Sequence, residues 1–140
     1  MIAGCLDYCR GRLNTLGLVE WTDSFNFENI PRTLLDDIYH IELGTVSRKA
    51  EHHDNIEINV PMTVRVFGRA FVDTGAGRDA AFIQSDTIID DFITAANRLT
   101  DNSIKTIQFD NMALQPLNDT NDNSLILVLD FTALVIKSTR

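Results

Sequence analysis

Apolar and polar positions change period several times along the chain, and each change predicts an element. Ile2, Cys5, Leu6, Cys9, Leu13 and Leu16 recur at spacings of three and four, one stripe of a helix that Gly17 stops. Trp21, Phe25 and Phe27 follow and are expected to pin the connection to the core. In "FNFENIPRTLLDDIYHIELG", residues 25–44, Pro31 cannot donate to a ladder and so marks the turn before a strand. Within that strand Tyr39, Ile41 and Leu43 face one way, and Ile38, His40 and Glu42 the other. The polar stretch "GTVSRKAEHHDN", residues 44–55, reads as a long mobile loop, since links between paired strands most often take about 2–5 residues.

From Ile56 the alternation is nearly regular. Ile58, Val60, Met62, Val64 and Val66 point to the core; Glu57, Asn59, Thr63 and Arg65 point away. Pro61 argues for an edge position or a bulge, and Gly68 for a bend after which Ala70 and Val72 resume the core face. "DTGAGRDA" then leads into a second helix with Asp79 as N-cap and Ala81, Ser85, Ile88, Ile89, Phe92, Ala96 and Leu99 on one face, ended by Asp101-Asn102. Two strands close the chain, around 104–115 and 124–137, joined by the turn "PLNDTNDN". The last is apolar on both faces. Leu125, Leu127, Leu129, Phe131, Ala133 and Val135 take one, and Ile126, Val128, Leu134 and Ile136 the other.

The expected fold is therefore α+β, a single domain over residues 1–140. It is a two-layer sandwich with a mainly antiparallel four-stranded sheet, two helices on one face and the order α-β-β-α-β-β.

Charge narrows the partners. Twenty acidic residues against twelve basic ones leave a net charge of −8, which disfavours adhesion to a phosphate backbone and suits a surface past which DNA slides. No apolar run reaches the roughly 20 residues that span a bilayer, and no uninterrupted apolar segment follows Met1 to read as a signal peptide. Cys5 and Cys9, one helical turn apart, suit a disulfide poorly and read as reduced core thiols.

Candidate chemistry is sparse. Asp36, Asp37 and His40 offer acid–base groups, but strand neighbours point to opposite faces and cannot converge as a dyad. "EHHD", residues 51–54, holds ligand-type side chains with no second motif to complete a metal site. "DTGAG", residues 73–77, lacks the ending of a phosphate-binding loop; its Asp-Thr-Gly has no second copy to form an aspartic-protease pair, so it reads as a turn using glycine at positive φ. Ser85 has no nucleophile-elbow context. The expectation is no catalytic residue, metal or cofactor.

The stretch at 25–44, followed by a polar segment, a long strand, a helix ending "AANRL" and a closing hairpin, resembles the tail-completion proteins of long-tailed bacteriophages, more narrowly the tail terminators. The resemblance implies a non-enzymatic virion protein of the tail or neck, assembled in the host cytoplasm. It further implies a homohexameric ring that caps the tail-tube protein, meets head-completion or connector proteins on its other side, and passes the genome DNA without sequence-specific binding. On that reading Arg48, Lys49, Glu51, His52, His53 and Asp54 are candidates for an assembly or channel loop, and Ile126, Val128, Leu134 and Ile136 for a subunit-interface face. A neighbouring connector or baseplate protein of the same layout is the alternative, and a small enzyme centred on the EHHD segment a more distant one.

Overall fold

The computed structural model describes residues 2–21, 37–51, 53–96, 104–117 and 123–138, with the side chains of 95, 96 and 138 outside the description. Its elements are α1 (Ile2–Thr15), β1 (Val19–Glu20), β2 (Ile38–Leu43), β3 (Ser47–Glu51), β4 (Asn55–Val72), α2 (Gly75–Ala96), β5 (Ile104–Pro116) and β6 (Ser124–Ser138). The expectations that fall on Phe25, Phe27, the Asn29-Ile30-Pro31 turn, Asp36, His52, Leu99, Asp101 and Asn102 lie outside the described residues.

The fold is α+β with both helices against one sheet face, but the sheet departs from the expectation of four mainly antiparallel strands in the order α-β-β-α-β-β. Among the described residues it has six strands and is mixed, ordered β1-β2-β4-β6-β5 with β3 also paired to β4. The observed order is α-β-β-β-β-α-β-β. Two short strands account for the difference. β1 is a two-residue parallel partner of β2, too short for any periodic signal. β3 is "SRKAE", drawn from the segment expected to be a loop, and it forms a hairpin with the start of β4. Its backbone pairing holds it, since charged residues there bury almost nothing.

α1 ends as its sequence dictates. Gly17 takes φ 89°, which only a residue without a Cβ adopts cheaply. Leu18 N–H then bonds Leu13 O at 3.2 Å and Gly17 N–H bonds Asn14 O at 3.0 Å, the paired closure of a Schellman turn. Cys5, Cys9 and Leu13 are fully buried on the inner face; both thiols are free, and Cys9 Sγ lies 3.8 Å from Met62 Sδ. A hydrogen bond with Cys5 and then burial drive the Cys9 thiol pKa upward, so it stays protonated and inert.

α2 begins earlier than Asp79. Thr74 is the cap: its Oγ1 accepts from Gly77 N–H at 3.0 Å, and its carbonyl takes the first helical bond from Arg78 N–H at 2.9 Å. Neither Gly75 nor Gly77 has positive φ, so the expected glycine turn is absent. Gly77 is needed for another reason. A Cβ there would stand 2.2 Å from Val72 O and 2.6 Å from Val72 Cγ2. With Ala81 and Ser85 it forms a small-residue stripe that seats α2 close on the sheet.

Two expectations about β4 also change. Pro61 is interior, flanked by β6 on one side and by the β2–β3 edge on the other. Its carbonyl accepts from Gly44 N–H at 2.8 Å, so its missing donor faces the interval between β2 and β3, where the ladder breaks in any case. After Gly68 the core face is taken by Phe71, not by Ala70 and Val72. The register slips between Phe67 and Val72, and an odd number of extra residues reverses the parity.

The main core fills the space between this face and the helices, with Tyr39, Met62, Phe92, Phe131, Leu127 and Leu129 among its largest members. Phe92 of α2 packs on Phe131 of β6 with ring centroids 4.8 Å apart, and Phe131 on Phe109 of β5 at 5.9 Å. Arg12 reaches from α1 to Asp91 of α2 through two bonds, Nε–Oδ2 at 3.0 Å and Nη2–Oδ1 at 2.6 Å. A smaller cluster on the opposite face joins Ile38, Phe67, Leu117, Ile126 and Val128, with Trp21 packed against it.

Candidate functional site

Three regions carry the side chains singled out by sequence, and the structure separates them. The first is the β3 hairpin. Arg48 donates to Glu51 Oε2 at 2.8 Å, and both remain largely exposed. Lys49 is the extra residue where the register shifts between Arg48 and Ala50, so it has no opposite number on β4 and stands exposed. His53 is 96% exposed, with Nε2 at 3.8 Å from Asp54 Oδ1, beyond hydrogen-bond length. Among the described residues no three His, Cys, Asp or Glu side chains gather as a metal-holding group.

The second region is the sheet face turned away from the helices. Register sets His40 opposite Arg65, Glu42 opposite Thr63, and Thr63 opposite Asp130. Arg65 pairs with Glu42, Thr63 Oγ1 donates to Asp130 Oδ1 at 2.7 Å, and Thr132 Oγ1 donates to Asp110 Oδ2 at 2.6 Å. Further along, Lys105 pairs with Glu57 at 3.2 Å. The first three bonds join acceptors to donors on neighbouring strands as cross-strand pairs, and Lys105 on β5 reaches over β6 to Glu57 on β4, so that much of the polar chemistry of the face is engaged. Burial lowers the His40 pKa and favours the neutral ring, against a hydrogen bond with the Trp21 backbone that works the other way. Asp37 is exposed at φ 55°, and its carbonyl accepts from Val19 N–H at 2.8 Å to begin the parallel β1–β2 pairing. It serves the backbone there. The Asp73 carboxylate is likewise engaged, held by Arg78 at 2.7 and 2.8 Å.

The third region is the proposed interface strand face. Ile126 and Val128 are buried within the small second cluster, Leu134 is 8% exposed, and Ile136 is half-buried. Much of that apolar area is already covered within one chain.

The uncovered apolar side chains stand elsewhere. Phe82, Ile83 and Ile93 on α2 are 40%, 67% and 36% exposed. Phe82 and Ile93, with half-buried Ile89, lie on the flank away from Asp91, because nine or two residues along a helix turn the side chain about half a revolution. Since Asp91 is tied to α1, this flank overhangs β5, the strand at the far edge of the sheet. Asp79, Asp86 and Asp90 are interleaved with these residues, exposed and without an ion pair among the described residues. The opposite edge has its own uncovered side chains, Val19 at 65% and Leu43 at 40%. Sequence reading missed the α2 flank because Phe82, Ile83 and Ile93 fell outside the core stripe, which Ile89 does join by packing against the main core. The usable signal was an apolar set wider than the Ala81-Ser85-Ile88-Phe92 face needs. Among the described residues no helix is long and apolar enough to cross a membrane. No protein-family model matches the chain, and no curated protein matches it in sequence.

Proposed function

We propose that the chain is a structural subunit of a long-tailed bacteriophage, a tail terminator that closes the end of the tail tube as a homohexameric ring. Tail-tube protein lies on one side of the ring, head-completion proteins on the other, and genome DNA passes through the opening. The observation that carries the reading is the pair of uncovered apolar flanks at opposite edges of one sheet, Val19 and Leu43 at one and Phe82 and Ile93 at the other, with Ile83 on the outer face of the same helix. Isolated apolar residues are ordinary on a surface, but a set on each of two opposed flanks suits a subunit with a neighbour on either side. The resemblance of residues 25–44 to the tail-completion proteins supplies the biological setting, and a net charge of −8 suits an opening in which DNA must not adhere. Native mass spectrometry and electron microscopy of the protein, alone and mixed with tail tubes, test the proposal. Sixfold rings, free or at tube ends, are expected. A twofold assembly, or a monomer that ignores tube ends, overturns it.

A further inference from the structure

The outer face of α2 and the β3 hairpin differ in charge as well as position, and this allows one to be assigned as the partner of the other. The outer face of α2 offers Phe82, Ile83 and Ile93 among Asp79, Asp86 and Asp90. The β3 hairpin offers Lys49 and Arg48, the latter also bonded to Glu51 of the same strand, with half-buried Ala50 beside them. Lys49 has no ion-pair partner among the described residues. Within one chain the two sets do not meet. From β3 the sheet runs through β4 and β6 before reaching β5, beneath the overhang of α2. Three strand spacings amount to about 14 Å, beyond the reach of a lysine side chain.

We infer, resting on the ring reading above, that the β3 hairpin of one copy docks on the outer face of α2 in the next. Lys49 and Arg48 meet the three aspartates, and the aliphatic stems of both basic side chains cover the apolar strip. The contact joins two different surfaces and is therefore heterologous, the kind that repeats around a ring when its rotation closes. Strand addition between copies is the competing geometry, and the edges oppose it. β3 shifts register between Arg48 and Ala50, and β5 between Ile104 and Thr106 and again between Phe109 and Asn111. Bulged edges are poor templates for a further strand. Side chains on the α2 face then carry the contact, with apolar burial supplying affinity and charge supplying the orientation.

Cross-linking with a short bismaleimide tests this, using the variants Ala50→Cys and Asp90→Cys. Cys5 and Cys9 are fully buried and can stay in place. Neither variant alone is expected to cross-link, their mixture should give dimers, and a chain carrying both should give a ladder ending at the ring size. In addition, Phe82→Asp should raise the concentration needed for assembly by about tenfold or more while leaving the urea midpoint unchanged. If wild-type protein assembles but the mixture gives no cross-link, the docking assignment fails and the ring reading stands. Cross-linking of Asp90→Cys alone reveals a twofold contact through α2 and also overturns it. A wild-type chain that stays monomeric even with tube ends, and a mixture without cross-links, sinks both.

Discussion

Adding one methyl group at Gly77 or at Gly75 should move stability in opposite directions, although the two glycines stand on the same turn of α2. At Gly77 the new Cβ would meet Val72 O at 2.2 Å, Val72 Cγ2 at 2.6 Å and Val72 N at 2.8 Å. Two of those three atoms are backbone, fixed by the end of β4, so the clash cannot be relieved by turning a side chain. The helix must lift by roughly 1 Å, which loosens the seat formed by Ala81 and Ser85 and costs about 1–3 kcal/mol or more, as overpacking does. The intrinsic gain of alanine over glycine, about 0.5–1 kcal/mol, offsets only part of that. At Gly75 nothing lies within 4 Å of the added Cβ and φ is not positive. Gly75→Ala should therefore stabilise by about 0.4–1 kcal/mol, chiefly by restricting the unfolded chain. With that offset included, the variants should differ by about 0.5–3.5 kcal/mol. Urea unfolding followed by far-ultraviolet circular dichroism, at concentrations where light scattering gives a monomer, reads this directly. With m about 1–3 kcal/mol/M, a loss of 2 kcal/mol lowers the midpoint by about 0.7–2 M. Midpoints that move the same way in both variants would refute the close approach of α2 to β4.

The Arg12–Asp91 pair, with side chains 34% and 14% exposed, should show a coupling of about 0.5–1.5 kcal/mol in a double-mutant cycle of Arg12→Ala and Asp91→Ala, and a coupling near zero would mean the helices are not tied there. Tyr39→Phe removes a hydroxyl that bonds Asn14 Oδ1 at 2.9 Å and Arg10 O at 3.3 Å, and should cost about 0.5–1.5 kcal/mol at neutral pH. Burial first, and Glu20 second, push the Tyr39 pKa up to about 12 from 10, so its contribution is complete below pH 10 and lost as the pH rises toward 12; urea midpoints of wild type and Tyr39→Phe should converge over that window. His53→Ala should change the midpoint by less than about 0.5 kcal/mol, with or without chelator, since the ring is 96% exposed; a chelator-dependent loss would return the hairpin to consideration as a metal site.

Elements with a burial rhythm were legible in the sequence. The α1 stripe and its stop at Gly17 stand as read, as do the two closing strands to within a residue or so. What was not legible has a common cause: it depends on contacts with residues distant in the chain. β3 has no apolar alternation and exists because β4 extends past β2 and offers it a ladder. Gly77 looked like a turn residue because its reason is Val72, five positions back on another element. Pro61 looked like an edge residue because the break between β2 and β3 is invisible in one strand's sequence. The site was less legible than the fold. Charge type drew attention to residues 48–54, whereas the exposed apolar side chains of α2 were hidden inside a helix whose inner face satisfied the pattern.

The place of β6 in the sheet bears on how the chain is made. β6 lies between β4 and β5, with Asn55 paired to Ser138 and Phe67 to Ile126, while β5 has no other strand partner among the described residues. Among the described residues, every ladder bond on that half of the sheet therefore waits for β6 to leave the ribosome. Until then β4 exposes a long backbone edge and one side of its apolar face, and β5 has nothing to hold it. Closure over such sequence distances is slow, roughly milliseconds to seconds for sheets dominated by non-local pairs. Nascent chains meet one another during that interval with strand edges unpaired. Soluble yield is therefore expected to fall as unfinished chains become more concentrated, independently of the stability of the finished domain.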